Sequence, residues 1–137
     1  KQTLNTLLKL KLVPVINEND TVATEEIKFG DNDRLSALVS ILVEADLLII
    51  LSDVEGLLDK NKKIIRRVDK ITAGIKSLAC PTNKKICVGG MVTKLEAARI
   101  ATQGGVPCVI ANGRRGKIIS QLTNDPFSQG TMFLPKK

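Results

Sequence analysis

The run Leu47-Leu48-Ile49-Ile50-Leu51 most narrows what this chain can fold into. A strand with one wet face alternates apolar and polar side chains. An unbroken aliphatic run must instead be covered on both faces. The residues before it carry a helical period: Leu35, Leu38, Val39 and Leu42 fall on one stripe, and Asp31-Asn32-Asp33 supplies an acidic, capping start. The same order recurs downstream. Gly89-Gly90 opens a predicted helix from about Val92 to Gln103, Gly104-Gly105 stops it, and Val106 to Ala111 reads as another buried strand. Helix and aliphatic strand therefore alternate. The predicted fold is α/β, a three-layer α/β/α sandwich around a mainly parallel sheet.

Other elements fit around this pair. Leu4, Leu7 and Leu8 mark a short amphipathic helix. Leu12-Val13-Pro14-Val15-Ile16 reads as a buried strand, placed at an edge or a strand start by Pro14, and it ends on Asn17-Glu18-Asn19-Asp20. Residues 21 to 30 look like an excursion, such as a hairpin. Residues 59 to 70 are strongly basic and read as exposed, with a short strand over Ile64 to Val68. Residues 72 to 87 carry no clear period. A short helix over Lys117 to Leu122 and a strand over Thr131 to Leu134 complete the chain. In such sheets ligands bind beyond the carboxyl ends of the strands. Three polar loops stand there: Asn17 to Asp20, Ser52 to Gly56, and Ala111 to Gly116.

Composition removes several function classes. There is no His, and the three cysteines, Cys80, Cys87 and Cys108, form no CxxC pair. The common zinc patterns are absent, and so is a Ser or Cys nucleophile with a His base. Free thiols suit a reducing cytosol, and no apolar stretch has membrane-spanning length, so the expected location is cytoplasmic and no membrane partner is expected. The net charge of +7 comes from 21 Lys+Arg against 14 Asp+Glu. It reads as a Lys-rich solvated surface or as attraction to an anionic partner such as nucleic acid or a nucleotide. Aromatics make up only 2% and none is interleaved with the basic clusters, which counts against stacking on nucleic-acid bases.

Three constellations carry chemistry. Asn17 to Asp20 together with Asp31 to Asp33 concentrate amides and carboxylates at a strand tip and a helix start. They suit an amino-acid ligand, whose carboxylate and ammonium they match, or a divalent cation; turn and cap roles are the plain alternative. Gly89-Gly90-Met91-Val92-Thr93-Lys94 opens a helix with backbone N–H groups available to phosphate, and Lys94 sits in the first turn. Its spacing is not that of a Walker A loop, and a glycine pair before a helix is often only a turn. Ser52-Asp53 at the strand tip is placed to touch a nucleotide, or simply ends the strand.

Taken in order, these segments resemble the amino acid kinase family. The resemblance rests on Val13-Pro-Val-Ile-Asn-Glu-Asn-Asp-Thr-Val22, Phe29-Gly-Asp-Asn-Asp33, Ala45-Asp-Leu-Leu-Ile-Ile-Leu-Ser-Asp-Val-Glu-Gly56, Gly89-Gly-Met-Val-Thr-Lys-Leu95 and Gly130-Thr-Met-Phe133. The pairing of the Asn17–Asp20 and Phe29–Asp33 motifs is similar to the glutamate-phosphorylating branch. Sibling kinases for aspartate, carbamate, acetylglutamate or UMP lack it in this form. The resemblance implies transfer of the ATP γ-phosphate to the side-chain carboxylate of L-glutamate with Mg²⁺, the first step of proline biosynthesis. It implies that Asp20 and Asn32 hold glutamate with Asn17 nearby, and that Asp33 organises the catalytic lysines. It further implies that Ser52, Asp53, Val88, Gly89, Gly90, Met91, Val92, Thr93 and Lys94 contact ATP, with Lys94 also stabilising the transferring phosphate. No residue is assigned directly to the metal. Feedback by proline and a homo-oligomer, dimer or tetramer, are likewise implied.

Cys87-Val88 departs from the family's usual Gly-Thr and removes a hydroxyl at the nucleotide. Residues 1–137 are expected to form one amino acid kinase domain that lacks its N-terminal part, with its Lys and Gly-rich phosphate loop, and so to be poorly active alone. The competing readings are another member of the family, a non-catalytic paralogue, and a basic nucleic-acid-binding module.

Overall fold

The computed structural model of the chain describes residues 1–17, 31–79 and 90–135. Nine elements follow one another: α1 (Gln2–Lys9), α2 (Asp31–Leu42), β1 (Leu48–Ser52), β2 (Arg67–Val68), α3 (Ala73–Leu78), α4 (Gly90–Gln103), β3 (Cys108–Asn112), α5 (Ile118–Asn124) and β4 (Thr131–Phe133). The strands form one sheet in the order β1-β3-β4-β2. β1 runs parallel to β3, with Leu48 opposite Cys108 and Ser52 opposite Asn112. β2 runs parallel to β4, and β4 runs antiparallel to β3.

The expected three layers are present because the aliphatic strands alternate their side chains between two covered faces. Leu48, Ile50, Cys108, Ile110 and Phe133 face one core with Ala37 of α2 and Leu95, Ala97, Ala98 and Ala101 of α4. Val109, Ala111 and Met132 face the other, against Ile118 and Leu122 of α5, with Ile49 packed beside them. α2 and α4 meet through alanines that are fully buried, Ala37, Ala97, Ala98 and Ala101, so their backbones approach closely. They run side by side in the same direction. Asp33 in the first turn of α2 touches Thr93 and Lys94 in the first turn of α4. At the far end, a Cβ on Gly104 would meet Ile41 Cδ1 at 2.4 Å. Each helix turns back into its own strand, β1 or β3. The helix starts therefore share the end of the molecule where the parallel strands finish.

Element boundaries shift by one to three residues from those expected. α4 begins at Gly90, and the basic stretch contributes the short β2 and an isolated bridge, Leu58 to Ile64. That bridge closes a tight hairpin. Asp59 accepts at one carboxylate oxygen from the N–H groups of Asn61 and Lys63, both at 2.8 Å. Residues 73 to 78, unreadable by period, form α3 with Thr72 as its N-cap, the Thr72 hydroxyl accepting from Ile75 N–H at 3.3 Å.

One expectation fails. Leu12 to Ile16 is not a buried strand: it pairs with no strand among the described residues, and Val13 and Val15 are 87% and 96% exposed. An aliphatic segment becomes a buried strand only when a neighbouring strand and a covering layer are at hand. Among the described residues no strand pairs with it, and α2 faces it only across an open cleft.

Thr131 is a completely buried polar side chain at the start of β4. Its hydroxyl accepts the Leu57 N–H at 2.8 Å and so ties the loop after β1 to the sheet. Thr131→Val keeps the shape and removes the acceptor. The expected cost is about 1–3 kcal/mol, the desolvation penalty of an orphaned buried N–H. A urea unfolding curve with an unchanged midpoint would contradict this.

Candidate functional site

The shared end of α2 and α4 brings together residues far apart in sequence. The Asp33 carboxylate accepts from the Thr93 hydroxyl at 2.7 Å, and the same oxygen lies 3.1 Å from Lys94 Nζ. Its other oxygen is 3.4 Å from Nζ. The two charged side chains are 19% and 16% exposed, so solvent screens them only in part. The Gly90 carbonyl, 3.0 Å from Thr93 Oγ1, is the alternative acceptor for that single hydroxyl proton. Helix starts carry unpaired N–H groups and a positive field, so a carboxylate is stabilised there. Asp33 thus fixes the ammonium of Lys94 at an end suited to an anion.

Two clefts open at this level. One, of about 380 Å³, is lined by Pro14, Ile16, Asn17, Asn32, Ser36 and Val39 among others. The second, of about 960 Å³, lies among Asp53, Glu55, Asp59, Lys60, Lys62 and Met91 and also reaches Asn112. Both volumes lie within the range of about 300–1,000 Å³ usual for small-molecule sites. Lys60 and Lys62, exposed as expected for the basic stretch, also form walls of the larger cleft.

The structure therefore sorts the expected site residues by place. Asn17 and Asn32 line the smaller cleft, and Asp53 and Met91 the larger. Asp33, Thr93 and Lys94 form one hydrogen-bonded group. The Ser52 hydroxyl donates to Asp53 Oδ1 at 3.2 Å at the tip of β1. Gly90 is exposed and Val92 half-buried in the first turn of α4. Asp20, Val88 and Gly89 lie outside the described residues, as do the expected hairpin over residues 21 to 30, Cys80 and Cys87.

Sequence reasoning missed one cluster. Glu55 Oε1 accepts from Asn112 Nδ2 at 2.8 Å, and Oε2 accepts from Arg115 Nε at 2.8 Å and pairs with Arg115 Nη2 at 2.7 Å. The Arg115 guanidinium first, and Asn112 second, hold the Glu55 carboxyl below the usual carboxylate range. Its signal was present but indirect. The Ser52–Gly56 and Ala111–Gly116 loops end parallel strands, and adjacency of those strands places the loops together. Cys108 is buried in the core, and desolvation, with the Asp33 charge adding to it, pushes its thiol up to about 12. It is inert filler at neutral pH. Among the described residues no group of three or more Cys, Asp or Glu is arranged to hold a metal ion, and no helix is long and apolar enough to cross a membrane.

Comparison with known proteins adds identity to this geometry. The chain is 44% identical to the glutamate 5-kinase of Clostridium acetobutylicum over 99% of its own length and 53% of that protein. It is 49% identical to the glutamate 5-kinase of Syntrophotalea carbinolica over 98% of its length and 38% of that protein. It thus spans about half the length, or less, of these curated relatives. Among solved structures, the carbamate kinase of Giardia shares the fold with a TM-score of 0.61 at 19% identity, over 98% of this chain and 47% of that one. The model of the amino acid kinase family matches residues 1–112, and the chain belongs to that family.

Proposed function

We propose that this chain forms part of a kinase that moves the γ-phosphoryl group of ATP onto the side-chain carboxylate of L-glutamate, opening proline biosynthesis. The observation that carries the reading is the Asp33–Thr93–Lys94 group at two helix starts beside two clefts. Identity of 44–49% to glutamate 5-kinases supports the choice of acceptor.

The chemistry asks little of the protein beyond placement and charge. A glutamate side chain is already ionised at neutral pH, so its oxygen attacks without a general base. The bond to the γ-phosphorus forms as the bond to the bridging oxygen breaks, and ADP leaves. Charge on the moving phosphoryl group peaks in between. Lys94 meets that charge, and Asp33 keeps its ammonium in place before the substrates arrive. In this reading the larger cleft, with Asp53 and Met91 in its wall, takes the nucleotide, and Ser52 and the Val88–Lys94 stretch are assigned to it by the family resemblance. The smaller, with Asn17 and Asn32 in its wall, takes glutamate, and Asp20 is assigned to glutamate by the family resemblance. Mg²⁺ would ride on the nucleotide phosphates, keeping waters as this ion does, and would neutralise part of their charge.

We extend the reading to a single domain over residues 1–137. It draws support from β4, which lies beyond the family match yet pairs with β3. Cytoplasmic location, proline as an inhibitor and a homo-oligomeric state belong to the same proposal.

The test is ADP release in the protein that carries this chain, with glutamate, aspartate, carbamate, acetylglutamate and UMP as acceptors. Glutamate alone should support turnover; equal rates with another acceptor would transfer the assignment to a sibling activity. Asp20→Ala should raise the glutamate KM by about tenfold or more and leave the ATP KM nearly unchanged. Equal effects on both constants would remove Asp20 from the glutamate site.

A further inference from the structure

The Glu55–Asn112–Arg115 cluster is not used by the chemistry above. It joins the loop after β1 to the loop after β3, and its polar atoms are committed to one another. Both Glu55 oxygens are occupied, one by Asn112 and one by Arg115. Asn112 donates to Glu55 and accepts the Arg114 N–H at 2.9 Å. One further bond, Gly113 N–H to the Ser52 carbonyl at 2.8 Å, continues the β1–β3 ladder beyond the strands. Asp53 stands between Ser52 and this cluster, and its one hydrogen bond among the described residues comes from its neighbour Ser52. Glu55 and Asn112 also line the larger cleft beside Asp53. The loop that carries Asp53 is therefore held at both ends, by the sheet at Ser52 and by a charged bridge at Glu55, while the Asp53 side chain is left largely unspent.

We propose that Glu55 and Arg115, with Asn112, form a clamp across the tips of β1 and β3 that holds the Asp53 loop in the shape that accepts a nucleotide. They are positioning residues, acting through Asp53 rather than on the ligand. The proposal rests on the nucleotide reading of the larger cleft. A clamp of this kind works by pre-organisation. An unclamped loop samples other shapes, and binding must then include the cost of ordering it. The bridge is half exposed, so its loss should hardly change global stability. It should instead loosen one loop.

Arg115→Ala should weaken binding of a non-hydrolysed ATP analogue about three- to tenfold by calorimetry. It should raise the ATP KM by a similar factor with kcat at saturation nearly unchanged, because bound nucleotide restores the loop. Arg115→Lys should recover part of the loss. Glu55→Gln, which keeps an acceptor for Asn112 but loses the ion pair, should fall between parent and Arg115→Ala. Without ligand, hydrogen exchange at residues 53–56 should speed up in Arg115→Ala while the melting temperature stays put. Unchanged exchange in that loop, or a melting temperature that falls with no change in nucleotide affinity, would overturn the clamp. Asp53→Ala separates the two ideas. If it leaves nucleotide binding intact while Arg115→Ala still speeds exchange, Asp53 has no part in a nucleotide site and the nucleotide reading of this loop fails, while the hold on the loop stands. If Asp53→Ala abolishes binding and Arg115→Ala does not alter it, the clamp fails and the nucleotide reading stands.

Discussion

Replacing Lys94 by alanine is expected to lower kcat about 10²–10³-fold, with the ATP KM changed by no more than a few-fold. The loss corresponds to about 3–4 kcal/mol of transition-state stabilisation, the usual scale for one preorganised group that meets developing charge. Two features of the structure set this expectation. Lys94 Nζ is held 3.1 Å from Asp33 Oδ2, so its charge is in place before reaction and need not be recruited. Both side chains are largely withdrawn from solvent, so the charge acts in a medium that screens it weakly. Asp33→Asn should cost less, about tenfold, because the ammonium remains and only its tether weakens; the Thr93 hydroxyl keeps an acceptor at the amide oxygen. Steady-state kinetics in the protein that carries this chain decide the matter. A Lys94→Ala variant with normal kcat and a large rise in ATP KM would make Lys94 a ground-state binding group and would remove it from the transfer step.

Much of this site is legible in the sequence, and for a definite reason. Leu47 to Leu51 and Val106 to Ala111 read as buried strands, and both are strands, although Leu51 is left 43% exposed among the described residues. The helices before them, marked at Asp31–Asp33 and at Gly89-Gly90, had to begin at the strands' carboxyl ends. That grammar alone puts Asp33 and Lys94 at one end of the molecule. It does not say that α2 and α4 are neighbours. Their contact depends on Ala37, Ala97, Ala98 and Ala101, whose small side chains carry a weak periodic signal and become informative only once two helices are seen to share them. The Glu55 cluster was hidden for a related reason. A strand-tip loop shows its residue types but not which other loop lies beside it, and that follows from strand order. β1 beside β3 is a long-range choice that no local pattern encodes. Leu12 to Ile16 misled in the opposite sense. Local pattern reports that a segment can be a strand, whereas burial is supplied by the neighbours, and Val15 has none over it among the described residues. Residues 73 to 78 were unreadable because α3 is short, with no buried residue to mark a stripe.

Gly130→Ala is expected to be the most destabilising alanine substitution at any described glycine whose crowding is with backbone. Gly130 has φ +74°, and a Cβ there would lie 2.2 Å from the Ile110 carbonyl oxygen, 2.9 Å from Ala111 Cβ and 3.0 Å from the Ile110 carbonyl carbon. The first cost is conformational, roughly 1–2 kcal/mol for an L-residue in the left-handed region. The second is steric, about 1–3 kcal/mol or more, because the obstacle is the backbone of the central strand and cannot swing aside as a side-chain tip can. Relief requires β4 to move off β3. That shift would also withdraw the Thr131 hydroxyl from the Leu57 N–H and loosen the loop that leads to Asp53. Two other glycines separate the terms. Gly105 has φ +88° with nothing within 4 Å of a new Cβ, so Gly105→Ala should show the conformational cost alone, about 1–2 kcal/mol. Gly116 meets nothing within 4 Å and has no positive φ, so Gly116→Ala should stay within about 0.5 kcal/mol of the parent. Urea unfolding of the three variants should rank them Gly116, Gly105, Gly130 in rising cost, with Gly130→Ala at about 2–5 kcal/mol or too unstable to accumulate folded. If Gly130→Ala instead matches Gly105→Ala, the backbone of β3 yields at Ile110, and the close approach of β4 is not what anchors the loop behind Asp53.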